Sequence, residues 1–88
     1  MTIVREPQFL SRLCPGGVMI KAIFVPEELI PPEEREGFEG LDRVTVRVRK
    51  GKETKSRTWF TLRMHDEEEV DNLLKYVVDE AELLAYIE

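Results

Sequence analysis

This 88-residue sequence is short of several things, and each shortage removes a class of protein. It has one cysteine, Cys14, so no internal disulfide can form, which fits a reducing compartment. Its longest apolar stretch, Val18 to Val25, is interrupted by Lys21 and is far too short to span a bilayer. The opening MTIVREPQF lacks a basic segment followed by an apolar one, so no signal peptide is expected. A soluble, cytoplasmic protein of one small domain, residues 1–88, is the expectation.

Chemistry-bearing residues are equally sparse. His65 is the sole histidine, and Cys14 has no evident base partner, so a nucleophile–base pair is not expected. His65, Asp66 and Glu69 could offer two or three metal ligands, but the same residues read better as a helix start. The turn KGK at 50–52 could hold a phosphate, yet it lacks the GK[ST] and strand–loop–helix context of a P-loop. No carboxylate pair is singled out by an apolar setting. The expectation is a non-enzyme without catalytic residues, metal or cofactor. Side-chain amides are scarce too: Gln8 and Asn72 stand alone in a chain that is 35% charged, a composition that thermophile proteins favour.

What the chain has is sorted charge. Residues 43–63 hold eight cations, Arg43, Arg47, Arg49, Lys50, Lys52, Lys55, Arg57 and Arg63, against one anion, Glu53. That segment carries +7 inside a chain of net −5, which leaves −12 for everything else. A basic patch of this kind attracts polyanions.

The pattern along the chain predicts an α+β domain: an antiparallel sheet of three or four strands, including a 43–63 hairpin, covered on one face by a C-terminal helix. TIVR at 2–5 could add an edge strand, and residues 8–13 are ambiguous. CPGG at 14–17 is turn chemistry. VMIKAIFV at 18–25 reads as a central strand covered on both faces, or by a second subunit. Residues 26–41 form an acidic connection pinned by Leu29, Ile30, Phe38 and Leu41.

Val44, Val46 and Val48 alternate with arginine and threonine, as Phe60, Leu62 and Met64 do. If both apolar sets face the core, opposed residues have numbers with an even sum, such as Val46 with Phe60, and the hairpin loop is odd in length or bulged. A one-residue slip would then set arginines against the core. Asp66 and Glu69 predict a helix start, and Val70, Leu73, Leu74, Val77, Ala81 and Leu84 its buried stripe. Leu83, Tyr86 and Ile87 fall outside that stripe and suggest a second contact surface, hence a homodimer.

On this register the outer face of the hairpin gathers Arg43, Arg47, Arg49, Arg57 and Arg63 around Trp59, with Lys50, Lys52 and Lys55 at the turn. Cations tracking phosphates beside a stacking aromatic bind single-stranded DNA or RNA. The alternatives are an acidic protein surface, including this chain's own loop or helix in another copy, and a merely solvated face. Whether Trp59 is exposed decides between them.

Overall fold

The computed structural model describes residues 5–87. Four strands form one antiparallel sheet in sequence order: β1 (Gln8–Cys14), β2 (Val18–Val25), β3 (Leu41–Lys50) and β4 (Glu53–Leu62). A single helix, α1 (Glu67–Ile87), packs across one face of β1, β2 and β3. The expected α+β architecture is therefore present, with the sheet at four strands. Its Cα envelope is 16 Å in its thinnest dimension, room for one sheet and one helix and no third layer. The segment 2–5 read as an edge strand falls largely outside the described residues, and β1 occupies the stretch that was ambiguous.

Local chemistry explains each element. Between β1 and β2 the chain turns through Pro15–Gly17, a short 3-10 turn in which Gly16 takes φ +84° and Gly17 φ +76°. A side chain would strain both positions. The helix is capped as expected: the Glu68 amide donates to Asp66 Oδ1 at 2.9 Å, and three glutamates fill the first turn at the positive end of the dipole. Val70, Leu74, Val77, Val78, Ala81 and Ala85 form the buried stripe, with Leu73 partly covered and Leu84 exposed. They meet Val18, Ile20, Ala22, Phe24, Val44 and Val46 from the sheet.

The hairpin register differs from the sequence expectation. Val44 pairs with Trp59, Val46 with Arg57 and Val48 with Lys55, so opposed residue numbers have an odd sum. The connection is the two-residue turn Gly51-Lys52, not an odd or bulged loop. Gly51 has φ +63° and no described non-glycine residue has positive φ, the pattern of a type II′ turn with glycine in its first central position. Turn geometry sets the register and rotates β4 by one residue relative to the expected pairing.

The feared cost of that rotation does not arise. The helix covers β1 to β3, so β4 overhangs, and Lys55 and Arg57 on its helix side still reach solvent. Phe60 and Leu62 consequently leave the core. Phe60 turns to the open face and stacks on Phe38 with ring centroids 4.1 Å apart, while Leu62 is exposed. Of the even-numbered set only Met64, beyond the strand, packs against the core.

Candidate nucleic-acid interface

The register divides the predicted site between two faces. On the open face, away from α1, lie Arg43, Arg47 and Arg49 of β3. On the helix side lie Trp59, Arg57 and Lys55 of β4, paired directly with the core residues Val44, Val46 and partly buried Val48. Trp59 is half-buried and packs against the hydrophobic core. The expected platform of five arginines around Trp59 is thus not assembled. Even spacing along one strand cannot show which side of the partner strand it shares, because that depends on the turn.

Several of these cations already have partners. Arg43 Nη1 donates to Glu34 Oε1 at 2.8 Å. Arg63 reaches Glu27 and Glu28, both at 2.9 Å. Lys50 Nζ donates to the Ala85 carbonyl at 3.1 Å, near the end of α1. The acidic connection therefore neutralises one end of the hairpin. It holds its place through buried Ile30, the Phe38–Phe60 stack, half-buried Leu41 and the Arg35 bond to the Glu27 carbonyl; Leu29 stays exposed.

Beneath that end sits a residue the sequence reading missed. Asp42 is fully buried and makes four contacts. Its Oδ1 accepts from Arg5 Nη2 at 2.6 Å and the Glu27 amide at 2.8 Å. Its Oδ2 accepts from the Met64 amide at 2.9 Å and Arg5 Nη1 at 3.4 Å. Arg5 also donates to the Met64 carbonyl and pairs with Glu28 at 2.9 Å, which holds that carboxyl below its usual range. A signal was available: Asp42 shares the even parity of Val44, Val46 and Val48, so it had to face the core and needed partners there.

The turn end is different. Cross-strand pairing aligns Ser11, Lys21, Arg47 and Ser56 in one row across the whole open face. The next row is Leu13, Met19, Arg49 and Thr54, and on the other side lie Phe9, Ile23, Thr45 and Thr58. Lys21, Arg47 and Arg49 are exposed, and none forms an ion pair among the described residues. Lys21 and Arg47 stand directly opposite one another, an arrangement of like charges that costs stability. Phe9 is 67% exposed with Lys21 Nζ 5.1 Å from its ring centroid. Hydroxyls of Ser11, Thr45, Thr54, Ser56 and Thr58 surround the cations, with Thr45 and Thr58 hydroxyls 3.2 Å apart.

Cys14 is buried beside Glu82, its Sγ donating to Oε1 at 3.1 Å, and burial together with that carboxylate pushes the thiol upward. Among the described residues, no three of histidine, cysteine, aspartate and glutamate sit together as a metal site would need. No described helix is long and apolar enough to cross a membrane. Comparison with family models, curated proteins and solved structures returned no match to this chain.

Proposed function

We propose that this protein is a non-enzymatic single-strand nucleic-acid-binding protein whose binding surface is the open face of the sheet. The observation that carries the reading is the unneutralised pair Lys21 and Arg47, opposed in register with Arg49 one row on. A strand pairing that keeps two like charges adjacent, in a chain of net −5 with carboxylates to spare, is favourable once an anion lies across it. A phosphodiester backbone along that row would accept from Lys21, Arg47 and the flanking hydroxyls. Phe9 lies one row away and offers a ring for stacking when Lys21 turns to a phosphate. Trp59, on the other face, has no part in this reading.

The test is anisotropy of a labelled single-stranded oligonucleotide across a salt series. Affinity falls steeply with salt, with a log–log slope of about −0.7 per phosphate contacted. Arg47→Ala and Arg49→Ala each flatten the slope. Phe9→Ala weakens binding by about 1–3 kcal/mol per stacked base and leaves the slope in place. Arg57→Ala and Trp59→Ala change neither. No binding by the folded protein at low salt refutes the proposal and leaves an acidic protein surface as the anion this face serves.

A further inference from the structure

The overhang of β4 leaves an open groove of about 830 Å³ between that strand and α1. Its floor is Val46, Val48 and Trp59, and its wall is Val77, Ala81 and Leu84. Tyr76 and Glu80 of the helix and Arg57 of the strand form the rims. An α-helix with side chains is about 10–12 Å across, so the volume corresponds to roughly one and a half turns of helix laid beside α1.

A second feature runs along the same side of the molecule. Tyr76, Leu83, Leu84 and Ile87 follow one another at helical spacing, and each is about half exposed or more. Leu84 and Tyr76 line the groove, and Leu83 and Ile87 continue the stripe onto the solvent side of the helix. Groove and stripe are neighbouring halves of one uncovered apolar surface.

Charge says what fits it. Of the seven carboxylates in residues 67–87, Asp71, Asp79 and Glu82 pair within the chain, and Glu80 stands at the groove among the apolar side chains of the helix. Arg57, at the sheet rim, is exposed and makes no ion pair among the described residues. A helix whose apolar stripe carries a carboxylate is the complement of that cationic rim, and α1 is such a helix, with Glu80 between Tyr76 and Leu84.

We propose that the groove is filled by α1 of a second copy, in a two-fold dimer. Each helix then lies over β1 to β3 of its own sheet and under β4 of its partner. The two helices run side by side between two outer sheets, and the stripe of each meets the Trp59 floor of the other. Such an interface is self-complementary, as two-fold symmetry requires. The arrangement leaves both Arg47 rows facing outward on opposite sides, so it stands independently of the binding role proposed for the open face.

The experiment follows mass and Trp59 emission together over a protein dilution series, using sedimentation equilibrium and the single tryptophan. The expected result is a mass rising from 10.3 kDa toward twice that value, with Trp59 emission moving to shorter wavelength over the same concentrations. Leu83→Asp, at an exposed position that leaves the helix signal in circular dichroism unchanged, holds the protein at 10.3 kDa and keeps Trp59 accessible to quencher. Arg57→Glu weakens association at low salt, and Phe9→Asp on the open face leaves it unaltered. A 10.3 kDa wild type at high micromolar concentration overturns the proposal. So does a dimer in which Trp59 does not respond, or one dissolved by Phe9→Asp and not by Leu83→Asp, which would put the interface on the open face.

Discussion

The two ends of the β3–β4 hairpin handle arginine in opposite ways. At the end near Asp42, Arg5, Arg43 and Arg63 each meet a carboxylate. At the turn end, Arg47, Arg49 and Arg57 meet none among the described residues. Composition is similar along both strands, so the difference lies in what folds over them. The acidic connection crosses one end and stops. Cations that the fold needs are paired inside the chain, and those left over are available to something outside it.

The largest expected effect breaks the paired end. Asp42→Ala leaves Arg5 and the amides of Glu27 and Met64 without their acceptor, so denaturant unfolding should show a loss of about 3–5 kcal/mol. A loss under about 1 kcal/mol would mean that water reaches this site freely.

A smaller effect tests the turn that divides the two faces. Gly51→Ala meets no atom within 4 Å but must adopt φ +63°, so its cost is backbone strain alone, about 1 kcal/mol. Thermal melts should show the drop, and an unchanged melting temperature would argue against the II′ turn and hence against the odd register.

Smaller still, and opposite in sign, is Lys21→Glu. It converts the repulsion with Arg47 into an attractive cross-strand pair and should stabilise by about 0.2–1 kcal/mol while abolishing oligonucleotide binding. Stability and binding moving together would sink the idea that the unpaired end is kept for an anion.

The faintest expected effect is with pH. Arg5 lowers Glu28 from its ordinary value of 4.5, so the stability this pair contributes is complete at neutral pH. It drains away as pH falls below that ordinary value and through the lower folded one. Replacing Glu28 by Gln should therefore shrink the difference in melting temperature between pH 7 and acid conditions. An unchanged difference would show the pair to be screened by solvent.

Period and punctuation made much of this fold legible. The valine alternation of β3, the turn glycines, the Asp66 cap and the helical stripe are local signals, each set by sterics or capping within a few residues. They suffice for one sheet, one helix and a basic hairpin. The same patterns could not say which face of β4 joins the valines of β3. Two alternating strands can be docked in either phase, and setting Phe60, Leu62 and Met64 on the core side with the valines takes the phase that the turn does not allow.

What the sequence determined by itself was β2, the hairpin and the C-terminal helix in their order, because each rests on contacts near in the chain, while the stretch that forms β1 stayed ambiguous. The tertiary structure alone decided the placement of charge. The footprint of α1 ends at β3, so a strand that reads as half-buried became an overhang tolerant of Lys55 and Arg57 on its inner side. The acidic connection reaches Arg43 and Arg63 but not Arg47, because its Phe38 is anchored on Phe60. Which arginines stay unpaired depends on where non-local segments come to rest, and that is settled by packing.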